Sequence, residues 1–166
     1  MKKTKTKILR AALKCFNTNG LVNVRLQHIA DEAFISVGNL AYHYSNKEAI
    51  VLTLYQELVQ AQRELLKEFR IVPLFDYLDH LLVLTFELQQ RYVFFYLDTL
   101  EIVRAYPSVK QVHQQHIQHQ IQQLKAILDF NVARGVFQPG PAPGFYQSWA
   151  HQMWYSMDSC PAQQRI

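Results

Sequence analysis

The sequence predicts an all-α protein in two parts, and three observations carry that expectation. Apolar residues recur at i, i+3, i+4 along most of the chain, and no stretch reads as a strand. Ser, Pro and Gly fall where helices would begin and end, among them Ser36, Ser45, Pro73, Pro107, Ser108 and Gly135. Charge is lopsided: residues 1–50 hold eight Lys or Arg against three acids, a balance of +5, so the rest of a chain of net charge +4 carries −1. A local basic excess of this kind suits a polyanion, and equally suits a solvated lysine-rich end.

Taken in order, residues 5–18 place Ile8, Leu9, Ala12, Leu13, Cys15 and Phe16 at helical spacing, and Asn19 and Gly20 can take the left-handed conformation that ends a helix. Leu26, Ile29, Ala30 and Ala33 form one stripe of a short second helix. Ser36 can cap a third, Val37 to Tyr44. Ser45-Asn46-Lys47-Glu48 has the form of a capping box opening a fourth helix to about Phe69, with Ile50, Leu54, Leu58, Ala61 and Leu65 as its inner stripe.

Pro73 suits the first position of the next helix, "LFDYLDHLLVLTFELQQ". Another, from about Arg91 to Ala105, should stop before Pro107, because proline forces its predecessor out of helical geometry. Ser108 can then cap a long helix to Arg134, closed by Gly135. The "QPGPAPG" segment is a loop, and Phe145 to about Ser159 a last helix.

With 49% apolar residues the chain can build a true core, which excludes a disordered tail. No signal-peptide pattern or apolar run of about 18 residues is present, so the expected location is cytoplasmic, away from membranes. Cys15 and Cys160 lie near opposite ends without metal or redox spacing, and no cofactor motif is visible.

The segment "ISVGNLAYHYSNKEAI" links these elements to chemistry. Two short helices joined at residues 34–36 over a third form a helix-turn-helix, whose second helix can enter a major groove. Leu40 would anchor that helix inward, leaving Val37, Asn39, Tyr42 and His43 outward, while Gly38 would let the backbone approach DNA. Asn39 can both donate to and accept from a base edge, Tyr42 can pack on sugar or a thymine methyl, and His43 and Lys47 are placed for phosphates. Arg25 and Gln27 complete the candidate DNA set. A polar-faced surface helix with no partner is the plain alternative.

Residues 7–54 resemble the N-terminal domain of the TetR family of bacterial transcriptional regulators, in "ILRAALKCFNTNG", "IADEA" and "SVGNLAYHYSNKEAI". Ser36, Gly38, Leu40, Tyr42, His43, Tyr44, Lys47 and Glu48 match the family's recognition-helix pattern. Three positions depart from it. Phe34 stands where the turn usually has glycine, so the turn either avoids a left-handed residue or carries about 1 kcal/mol of strain. Ala41 replaces a tyrosine, and Arg25 replaces the usual cap of the second helix, with Asn23 able to cap one turn early.

The resemblance implies a DNA-binding domain over residues 1–50 (motif about 25–44), a linking helix over 46–69, and a ligand-binding and dimerisation domain over 70–166. It further implies a homodimer on double-stranded operator DNA, most naturally a repressor released by a small-molecule effector. The concentration of aromatics in a nearly neutral region suggests an apolar or amphipathic effector, with Tyr92, Phe95, Tyr96, Phe130 and Trp154 as candidate contacts. The family usually dimerises through its last two helices, and this chain looks short for that arrangement. His113, His116 and His119 follow i, i+3, i+6 with no carboxylate or cysteine between them, which reads as a solvated or interface polar face and not a metal site. The competing function is a helical protein-interaction module whose DNA-reading head has degenerated, for which Phe34 and Ala41 speak. An enzyme finds no support, since no nucleophile, acid–base pair or phosphate loop is evident.

Overall fold

The computed structural model describes residues 2–68 and 74–163, with side chains described over 3–65 and 80–158. Among these residues the chain forms α1 (Lys2–Asn19), α2 (Leu26–Glu32), α3 (Val37–His43), α4 (Lys47–Glu68), α5 (Leu74–Arg91), α6 (Val93–Leu97), α7 (Thr99–Ala105), α8 (Pro107–Ala133) and α9 (Phe145–Gln163). The expected roles of Pro73 and Phe69 fall outside the described residues, as does the side chain of Cys160.

Helices α1, α2 and α3 enclose Ile8, Phe16, Ile29 and Leu40, all wholly buried, and α4 closes the bundle with Ile50 and Leu54. The same apolar cluster continues into Phe94 and Phe95 of α6, Ile102 of α7 and Val109 of α8. The basic head therefore shares its core with the first part of the helical body. A smaller cluster of Leu124, Leu128 and Ala150 holds α8 to α9, with Phe137 and Trp154 packed on it.

Several helix ends differ from expectation for identifiable reasons. The fourth helix is capped by Asn46, whose Oδ1 accepts from the Ala49 N–H at 2.9 Å, so no capping box forms on Ser45. Glu48 is thereby free to leave its own helix end, and its Oε1 accepts from the Ser108 hydroxyl at 2.5 Å. Ser108 in turn is not a cap: Tyr106 takes that position, and Pro107 fills the first helical site, where a missing N–H costs nothing.

The single helix expected over about 91–105 is broken at Tyr92 and again at Asp98. At the first break Asn17 of α1 supplies both missing partners, donating to the Arg91 carbonyl (2.9 Å) and accepting from the Phe94 N–H (3.1 Å). At the second, the Asp98 carboxylate accepts from the Leu21 N–H at 2.9 Å. Each interruption is thus matched to a polar group of the head. Where sequence and structure agree, the agreement is conformational: Gly20 (φ 74°) and Gly135 (φ 73°) end α1 and α8 in the left-handed region.

Candidate nucleic-acid interface and effector cavity

The reading head is assembled by local bonds. Ser36 caps α3, its Oγ accepting from the Asn39 N–H at 3.1 Å, and Leu40 on the inner face is wholly buried. Gly38, Asn39, Ala41 and Tyr42 consequently face solvent, Tyr42 being 76% exposed with its ring edge-on to His43 at 5.1 Å. A side chain added at Gly38 would meet nothing nearer than the Ser36 Oγ at 4.0 Å, so packing within the protein does not require glycine there. Arg25 occupies the cap position of α2 in extended geometry with an exposed side chain, and its N–H donates to His28 Nδ1 at 3.2 Å. Asn23 does not cap α2; it donates back to the Asn19 carbonyl at 2.9 Å and seals the end of α1.

Two expected DNA contacts, Val37 and Lys47, sit differently. Val37 is half-buried against the core and does not point outward. Lys47 is turned inward: its ammonium donates to the Leu21 carbonyl and lies 5.9 Å from the Phe16 ring centroid, and burial lowers its pKa. In this position it braces the α1–α2 connection. Gln27 is exposed, with its amide donating to Asp31 at 2.7 Å along the same helix.

The sequence reading missed the cations that are presented to solvent. Lys3, Lys5, Lys7 and Arg10 are all exposed on α1, whereas Lys14 is paired with Glu32 at 2.7 Å. Their spacing alone could have marked them, since Lys3, Lys7, Arg10 and Lys14 recur on one helical face. Phe34 does adopt the left-handed conformation (φ 50°), and its ring stands 86% exposed with the Lys7 ammonium 5.6 Å from its centroid. The strain alternative of about 1 kcal/mol is therefore the one realised.

In the body, two adjoining cavities of about 30 and 10 Å³ lie among α4, α5, α6, α8 and α9. Gln62, Gln120, Trp154 and Asp158 line both. The lining is polar and mutually bonded. The Tyr55 hydroxyl meets His113 Nδ1 at 2.8 Å, Gln62 bridges Tyr96 Oη (2.9 Å) and His116 Nε2 (2.6 Å), and the Trp154 Nε1–H donates to Gln120 at 3.1 Å. Burial pushes the Tyr55 and Tyr96 hydroxyls up, lowers His113, and takes His116 down to about 3, with neighbouring Arg63 adding to the last effect. The Asp158 carboxyl is raised to about 6 by desolvation.

Of the expected effector contacts, Phe95, Tyr96 and Trp154 line this region. Tyr92 and Phe130 do not. Tyr92 is packed in the core shared with the head, under the Arg91 guanidinium, and Phe130 is 52% exposed on α8 beneath Arg134. The histidine row is also reassigned, because His116 is only 4% exposed and His113 half-buried, so this face of α8 is an inner wall rather than a solvated one. No group of three potential metal-binding side chains is found among the described residues. Nor is any helix among them long and apolar enough to cross a membrane.

A helix-turn-helix head carried on an all-helical body defines a class of bacterial transcriptional regulators. Residues 8–54 match the bacterial regulatory proteins of the tetR family, and residues 54–166 match the TetR bacterial transcriptional repressor domain; the chain belongs to the TetR family. The HTH-type transcriptional regulator RutR of Escherichia coli K12 is 36% identical over 66 residues, which are 40% of this chain and 31% of that protein. The match thus spans about a third of the relative's length. Among solved structures, a TetR-family transcriptional regulator from Marinobacter aquaeolei VT8 superposes with TM-score 0.86 at 24% identity, covering 97% of this chain and 79% of the other. A TetR transcription regulator from Haloarcula marismortui gives TM-score 0.79 at 16% identity, over 98% and 86%. These two likenesses are of fold.

Proposed function

We propose that the protein is a ligand-responsive transcriptional repressor that binds operator DNA as a homodimer and is released by an effector lodged in the body. The observation that carries this reading is the division of polar groups in α3: Leu40 is wholly buried, while Gly38, Asn39 and Tyr42 form an exposed face beside the exposed cations of α1. Asn39 suits a base edge, Tyr42 and His43 suit sugar and phosphate, and Arg25 with Lys3, Lys5, Lys7 and Arg10 supplies the sequence-independent attraction. Exposed Phe130, Phe145, Trp149 and Tyr155 on α8 and α9 support dimerisation through those two helices. Asn17, Asp98 and the Glu48–Ser108 bond tie head to body, so a rearrangement of α6–α8 would tilt the head.

A band-shift titration of the full chain against duplex DNA flanking its own gene tests the reading. Specific retention is expected, with affinity falling steeply as salt rises, at a slope of about −0.9 per phosphate contact. Retention without sequence preference, or none, would favour the protein-interaction module, a reading to which the exposed Phe34 lends itself.

A further inference from the structure

Two acceptors in the cavity wall, on His116 and Asp158, have no donor among the described residues. His116, almost wholly buried, uses Nε2 against the Gln62 carbonyl oxygen, so Nε2 carries the proton and Nδ1 is left as a bare acceptor without a partner. The Gln120 carbonyl oxygen is taken by Trp154, while the Gln62 amide donates to Tyr96. The half-buried Asp158 carboxylate, lining both cavities, has no hydrogen bond or ion pair among the described residues. The Arg63 guanidinium acts on His116 and Tyr55, while the Asp158 carboxyl is raised by burial alone. A desolvated carboxylate without a counter-charge is unfavourable, and an unpaired buried acceptor adds to the deficit.

From this arrangement we infer that the effector is a small amine cation, its ammonium on Asp158 and a second N–H or O–H donor reaching His116 Nδ1, with its carbon chain against Trp154. The inference rests on the effector reading above and narrows the apolar or amphipathic effector expected from aromatic content to a charged one. As they stand, the cavities hold no more than one or two water molecules. A ligand larger than water has to move the four residues that line both cavities, Trp154 and Gln120 being bonded to each other. Trp154 and Tyr96, which line the space, supply aromatic surface to the cation, an attraction that strengthens away from water. Asp158 becomes the anionic partner once ionised, so binding should weaken as pH falls through about 6. Of the groups around the cavities, His116 is held far below that range, His113 is lowered, Tyr55 and Tyr96 are raised, and the Arg63 cation acts on His116 and Tyr55.

The test is calorimetric titration of the full chain at about pH 7.5 with 4-aminobutan-1-ol and with its neutral counterpart butane-1,4-diol. The amine is expected to bind at least about tenfold more tightly than the diol. Asp158→Asn should bring the amine to the diol's level, with circular dichroism confirming that the variant is folded. Equal affinities, undiminished amine binding in Asp158→Asn, or no binding of either probe at millimolar concentration overturns the inference. A band shift run beside it separates this from the repressor reading. Asp158-dependent amine binding that leaves the DNA complex intact upholds the ligand class and defeats the effector role. Diol and amine releasing DNA equally does the reverse.

Discussion

The head and the body handle polar side chains in opposite ways. On α3 the side chains of Asn39 and Tyr42 point outward and make no hydrogen bond among the described residues, whereas on α8 His113, His116 and Gln120 turn inward and are bonded to α4 and α9. An exposed polar face costs nothing while it waits for a ligand, because water satisfies it. A buried polar face must be satisfied by neighbours, and the few groups left over report what is missing. The head is therefore read from what it displays, the body from what remains unpaired.

Four substitutions would break or sharpen this contrast. The largest effect is expected from Leu40→Ala, which empties the anchor of the recognition helix; it should destabilise by about 2–5 kcal/mol, seen as a lowered midpoint in urea, and abolish specific DNA retention. Asp98→Ala leaves the Leu21 N–H without its acceptor and should cost about 1–3 kcal/mol by the same measurement. An unchanged midpoint there would mean that water replaces the carboxylate and that the head is not held by it.

Asp158→Asn should act in the other direction. Its folded pKa, about 6, lies above the ordinary 3.8, so protonation favours the fold and that contribution is lost as pH rises from about 4 through 6. Removing the charge should therefore stabilise the protein at pH 7.5, by about 1–2 kcal/mol after allowance for its half-exposure. His116 has the opposite sign: with a folded pKa near 3 against 6.5, its stabilising contribution is present above about 6.5 and lost as pH falls towards 3. In the native chain the two oppose each other between about pH 4 and 6. Asp158→Asn should consequently lose stability more steeply with acid, which a series of thermal melts would reveal. Asn39→Ala should be the mildest, within about 0.5 kcal/mol of native stability, while shifting base preference by about 1–3 kcal/mol in binding to altered operators.

The head was legible because its signals are local. Ser36, Leu40 and Gly20 act within one turn of themselves, and each takes the role its spacing implies. Phe34 and Lys47 show where that logic stops: the family pattern marked both positions, but Lys47 finds its partners 26 and 31 residues back, on Leu21 and Phe16. In the body the decisive partners are remote. The breaks at Tyr92 and Asp98 depend on Asn17 and on the Leu21 amide, more than 70 residues away, and no propensity of residues 91–105 encodes them. The histidine row was misread for a related reason. Polar residues recur all round α8, so composition alone does not say which side packs against α4.

Leu21 is gripped at both ends of its backbone, its N–H by Asp98 and its carbonyl by Lys47. The Leu21 amide can reach solvent hydrogen only when the α6–α7 break parts from the end of α1, and the Phe94 amide, held by Asn17, obeys the same condition. These two protons should thus exchange with deuterated water at a common rate, set by how often body and head separate. That pair is a built-in clock for the motion, readable by nuclear magnetic resonance with no label attached and no DNA present.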